Sequence, residues 1–106
     1  MCGFVGFLGG SSQDGVAEES LLHRMADTLI HRGPDYGDHW LNTGQRIGLG
    51  HRRLSIIDLS HAGHQPMQSF SGRYVIAFNG EIYNHLLLRQ ALETVGQAPI
   101  WRGHSD

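Results

Sequence analysis

Short apolar runs alternate with glycine-rich breaks along this chain, and two stretches carry a helical rather than a strand period. Residues 3–8 (GFVGFL) are apolar or glycine throughout and contain aromatic and β-branched side chains, so they predict a buried strand ending in the turn formers Gly9-Gly10-Ser11-Ser12. From 16 to 32 the apolar residues Leu21, Leu22, Met25 and Leu29 recur at helical spacing, with Glu18 and Glu19 early and His31-Arg32 late, as the helix dipole favours. Gly33-Pro34 stops that helix. Between 38 and 58 the pattern predicts short strands near 39–41, 46–50 and 54–58, separated by turns such as Asn42-Thr43-Gly44; residues 59–66 read as loop. Ser71-Gly72 predicts a tight hairpin turn between strands at 68–70 and 73–78. The nearly all-apolar stretch 74–78 implies burial on both faces. A second helix, 84–95, places Leu88, Leu92 and Val95 on one stripe before Gly96.

Length and composition narrow this picture. A chain of 106 residues with 40% hydrophobic residues accommodates one small domain or a piece of one, with no internal repeat, linker or low-complexity tract. Eight arginines, no lysine and ten acidic residues give a formal charge of −2, so there is no surplus positive field for nucleic acid. The run 4–8 is far too short for a signal or membrane-spanning segment, and no charged region precedes it, so no membrane partner is expected and the chain reads as cytoplasmic. The single cysteine, Cys2, has no internal disulfide partner and is therefore structural, reactive or incidental. By position alone, a small buried side chain at the head of a strand explains it.

Chemistry permits the reactive reading once Met1 is removed. A thiol of pKa near 8.5 and an α-amine near 8 would then share one residue, and the amine could serve as the base that generates thiolate without a histidine. Five phrases accompany Cys2 in order: MCGFVGF at 1–7, HRGPD at 31–35, GHRRLSIIDLS at 50–60, AGHQPM at 62–67 and FNGEIYN at 78–84. Together they resemble the glutaminase half of glutamine-dependent asparagine synthetases, a class II glutamine amidotransferase. RLSIID, QPM and NGEIYN resemble this family more than its amidophosphoribosyl or hexosamine-phosphate relatives.

The resemblance implies an α+β fold of the N-terminal-nucleophile type, a layered sandwich of mainly antiparallel sheets flanked by helices. Residues 1–106 would be its N-terminal portion, with the domain continuing beyond Asp106 and a synthetase domain elsewhere in the full-length protein. It implies Cys2 as nucleophile, with the Asn79 amide and the Gly80 N–H as oxyanion donors that also contact substrate. Without the family, Asn79-Gly80 reads first as a turn, although the continuation into a helix leaves no returning strand. Arg53 matches the family's binder of the glutamine α-carboxylate, a task suited to a planar guanidinium; by spacing alone Arg52 would serve equally. Leu54, Ser55, Ile56 and Ile57 would line the pocket, and Glu81 and Asp106 would hold the substrate's ammonium and amide N–H groups. HRGPD receives no catalytic role beyond stopping a helix.

Glutamine is thus the implied small-molecule substrate. No cofactor is expected for its hydrolysis, with ATP and Mg expected only in the synthetase domain; a homo-oligomer stays open. His51, His61 and His64 cluster in sequence, but they lack an HExxH pattern or cysteine pair, so no metal site is expected. Gly9-Gly10-Ser11-Ser12 lacks the lysine and spacing of a phosphate loop. Two alternatives remain: a truncated or degenerate glutaminase fold acting as a non-catalytic binding module, and an amidotransferase with another acceptor.

Overall fold

A computed structural model describes residues 1–10, 14–55, 61–103 and 106. Three antiparallel strands form the main sheet: β1 (Gly3–Leu8), β2 (Tyr36–Asn42) and β3 (Ile47–Arg53), in the order β1-β3-β2. Helix α1 (Gly15–Asp27) packs on one face of this sheet. A short hairpin follows, β4 (Met67–Gln68) with β5 (Val75–Ile76), and then helix α2 (His85–Thr94). The chain is α+β, as the sequence predicts.

Local chemistry explains α1. Asp14 caps it by accepting a hydrogen bond from the Val16 N–H at 3.0 Å, satisfying an otherwise orphaned donor. Leu22 and Ala26 form the buried stripe. They fit because Gly50 of β3 has no side chain: a Cβ there would meet Val5 at 3.2 Å and Leu22 and Ala26 at 3.4 Å. Past Asp27 the chain continues in turns to Gly33, whose N–H reaches the Leu29 carbonyl, so the regular helix ends earlier than the expected 32.

Register divides the sheet's two faces. Gly50 pairs with Val5 and His39, and directly opposed residues share a face, so His39 stands on the α1 side. The alternation places His51 and Arg53 on the opposite face, together with Phe4, Asp38 and Tyr36, their partners across the ladder.

Several sequence expectations are corrected. The strand near 46–50 runs on through Arg53; of the strand expected at 54–58, Leu54 and Ser55 lie outside regular structure, and Ile56, Ile57 and Asp58 lie outside the described residues. Ser11 and Ser12 of the first turn, and Leu59 and Ser60 of the expected loop, also lie outside them. The strand 3–8 forms at a sheet edge, leaving Phe4 and Leu8 exposed rather than buried. The stretch 73–78 contributes only two ladder residues, and Ile76 is 52% exposed, because among the described residues β4 is its sole strand neighbour and no second layer covers it. Helix α2 forms, but Leu88, Leu92 and Val95 face no core and stay exposed; Trp101 instead packs beside it, donating from Nε1 to Glu93 at 2.9 Å.

Candidate active site

Cys2 precedes the first residue of β1, and Leu54 follows the last of β3, so antiparallel pairing brings the two ends together. The Leu54 N–H points at Cys2 Sγ at 3.3 Å, and the thiol lies 3.6 Å from the Leu54 carbonyl oxygen. Arg53, only 6% exposed, packs its guanidinium against Gly63, where any side chain would collide with it. A nucleophile candidate, a buried cation and backbone donors thus converge at one end of the sheet.

HRGPD acts as the clasp for this corner, a role the sequence reading missed. The Gly33 carbonyl accepts from Arg52 Nε at 2.9 Å, and the Arg53 carbonyl accepts from the Asp35 N–H at 3.0 Å. The Asp35 carboxylate accepts from the Ser55 N–H at 2.8 Å. Gly33 packs so closely on the Arg52 backbone that a Cβ would overlap it. Arg52 Nε is therefore committed to the scaffold. The available signal was the Gly-Pro-Asp sequence itself, a turn whose carboxylate can bind nearby backbone N–H groups.

His51 was also missed, except as a member of a histidine cluster. It is 2% exposed, and its Nε2 is buried without a hydrogen-bond partner. Burial lowers its pKa, the neighbouring Arg53 charge lowers it further, and a hydrogen bond to the Phe78 backbone opposes both. The imidazole thus faces the Phe78 backbone, in the segment entering Asn79-Gly80. Gln65 supports the same segment, its side-chain oxygen accepting from the Phe78 N–H at 2.6 Å. The Tyr36 ring stacks on His64 with centroids 3.6 Å apart, and His64 in turn lies beside His61, Nδ1 to Nδ1 at 3.2 Å. Burial, then the charges of His61 and Arg53, lower the His64 pKa, with Asp38 opposing.

The remaining predicted residues are less enclosed. Asn79, Gly80 and Glu81 are exposed, one to three residues beyond the Phe78 anchor. Asp106 accepts from the Ile82 N–H, which places its carboxylate beside the Asn79–Glu81 stretch. Ser55 is held by Asp35, whereas Ile56 and Ile57 fall outside the described residues. A separate recess of about 810 Å³ lies between the hairpin and the C-terminal segment, lined by Phe70, Tyr74, Ile76, Trp101 and Asp106 among others; Cys2 and Arg53 do not line it.

Over residues 1–106 the chain matches the family described as the glutamine amidotransferase domain. It belongs to that family. The amidotransferase domain is 42% identical over 97 residues to asparagine synthetase (glutamine-hydrolyzing) 1 of Bacillus subtilis (strain 168), covering 91% of this chain and 15% of the relative. Asparagine synthetase (glutamine-hydrolyzing) 3 of the same organism is 39% identical over 98 residues, covering 91% and 15%. The Gibberella zeae protein named amidase chry2 is 44% identical over 70 residues, covering 66% of this chain and 10% of the relative. The amidotransferase domain thus spans about 15% of the length of the asparagine synthetases it matches.

Proposed function

We propose that this chain supplies the glutamine-hydrolysing site of an asparagine synthase, with Cys2 as nucleophile. The observation that carries the reading is the approach of Cys2 Sγ to the Leu54 backbone, directly beside the buried Arg53, in a chain of this family. The Arg53 guanidinium holds the α-carboxylate of glutamine, with Leu54, Ser55, Ile56 and Ile57 lining the pocket and Glu81 and Asp106 accepting from substrate N–H groups. The Cys2 thiolate attacks the side-chain carbonyl carbon, and the Asn79 amide and Gly80 N–H stabilise the resulting oxyanion. Collapse expels ammonia, which takes up the proton released from the thiol, and leaves a thioester. Water cleaves the thioester to glutamate and regenerates the thiol.

Ammonia would then pass to a synthetase domain of the full-length protein, which would hold ATP and Mg for the amidation of aspartate. The residues here do not suit ATP, having no lysine and no phosphate-loop spacing. No helix among the described residues is long and apolar enough to cross a membrane. We place the reaction in the cytoplasm.

The base is the Cys2 α-amine freed by removal of Met1, whose 72% exposure leaves it open to an aminopeptidase. In the full-length enzyme, Cys2→Ala should abolish glutamine-dependent synthesis while ammonia-dependent synthesis survives, and a Met1-retaining form should behave alike. Glutamine hydrolysis by C2A would end the nucleophile assignment; hydrolysis by the Met1-retaining form would remove the amine from the mechanism. A second reading keeps the same glutaminase chemistry with an acceptor other than aspartate; the similar protein named amidase chry2 is not named a synthetase. Product analysis with aspartate and alternative carboxylates separates the two.

A further inference from the structure

On the sheet face away from the candidate active site, helix and strand bring three metal-ligating side chains together. Glu19 and His23 lie one turn apart on α1, beside the buried stripe of Glu18, Leu22 and Ala26. His39 reaches them from β2 because it opposes Gly50, the position whose missing side chain seats α1 on the sheet. His39 Nε2 lies 3.1 Å and His23 Nε2 3.9 Å from the same Glu19 oxygen. The two imidazoles meet edge to face with centroids 4.4 Å apart, and one ligand atom from each of the three residues lies within 4.8 Å of the others.

We propose that Glu19, His23 and His39 form a binding site for a divalent transition-metal ion of the zinc class that clips α1 to β2. Two imidazoles and one carboxylate are a donor set that zinc accepts, at bond lengths of about 2.0–2.2 Å, which in a tetrahedron sets neighbouring ligand atoms about 3.3–3.5 Å apart. The observed 3.1 and 3.9 Å bracket that spacing, so the ligands need only small side-chain rotations. His39 is 25% exposed and supplies the anchored ligand; Glu19 and His23, at 51% and 57%, adjust from the helix and leave a fourth position open to water. The donor set disfavours calcium and magnesium, which take oxygen ligands. Because its ligands come from two elements, the ion would bind the docked helix and not the separated one, stabilising the docked arrangement by mass action.

Zinc titrated calorimetrically into the metal-free chain at low protein concentration should bind one ion per chain and raise the thermal midpoint. Cobalt should give the visible absorption of a low-symmetry site that zinc bleaches. Replacing His23 and His39 together by Ala, or Glu19 by Gln, should weaken zinc roughly tenfold or more, with circular dichroism confirming the fold. His61→Ala with His64→Ala, and separately Cys2→Ser, should leave the affinity unchanged. Zinc binding that survives loss of the Glu19, His23 and His39 ligands, or disappears with the His61–His64 pair or the thiol, overturns the proposal. So does the absence of saturable binding.

Discussion

At the residue scale, Arg53 and Asn79 have different expected kinetic signatures. Arg53 is buried and already positioned, so it would hold the glutamine carboxylate in ground and transition states alike. In the full-length enzyme Arg53→Ala should therefore act mainly by raising KM for glutamine. Asn79→Ala should instead lower kcat, by about 10²–10³-fold as for other oxyanion donors, because negative charge develops only along the reaction. Steady-state glutaminase assays of both variants would check this, and the opposite pattern would exchange their roles. His51 carries a separate pH prediction. Its folded pKa is depressed, so on acidification the unfolded chain takes up its proton first, and the stability contributed by neutral His51 is present above about pH 6.5 and lost as pH falls towards the folded pKa. His64 is shifted in the same direction. Urea unfolding should show a lower midpoint at pH 5 than at pH 7.5, and His51→Gln should reduce that difference.

At the element scale, the fold depends on one helix–sheet seam. Leu22 is fully buried, and its side chain touches the plane of the sheet at Gly50. Leu22→Ala should cost about 2–5 kcal/mol, the usual range for deleting a buried leucine side chain, and should weaken zinc binding through loss of helix docking. Denaturant titration measures the first effect and calorimetry the second. An exposed control on the same helix, Leu21→Ala, should change stability by much less. The two helices were both legible from their apolar period, but among the described residues only α1 covers a sheet. The clasp from Gly33 and Asp35 commits the Arg52 side chain to the Gly33 carbonyl, a contact across 19 positions that the alternation of a strand does not reveal.

At the scale of the whole molecule, much apolar surface stays uncovered. Tyr83, Leu86, Leu87, Leu88, Val95 and Ile100 are exposed around α2, and no α2 residue is buried. Patches of this kind in a soluble protein mark a surface that another part of the structure covers. We propose that the glutaminase domain continues past Asp106 and supplies that cover. Residues 1–106 should consequently self-associate as concentration rises and hydrolyse glutamine poorly even without Met1, since the oxyanion donors need positioning to within about half an ångström. Sedimentation velocity and a glutaminase assay, compared with a version extended through the matching region of the relatives, would test both. A monomeric and active 1–106 would show that the domain is already complete.

The sequence by itself determined the α+β class, the positions of both helices, the β1 strand, the 71–72 turn and membership of the glutamine amidotransferase family. Those features are local, or reside in the order of short phrases, and need no knowledge of what lies across the chain. Tertiary structure decided which elements were buried. The apolar runs 3–8 and 74–78 satisfy the pattern of interior strands, yet one lies at a sheet edge and the other in a two-stranded hairpin, because burial depends on neighbouring layers rather than on composition. It also decided the histidines: His51, His61 and His64 are neighbours in sequence, but a helical turn and a strand register gathered Glu19, His23 and His39. Strand pairing likewise brought Cys2 to Leu54 across 52 positions, since contact over such a separation is set by register and not by sequence proximity.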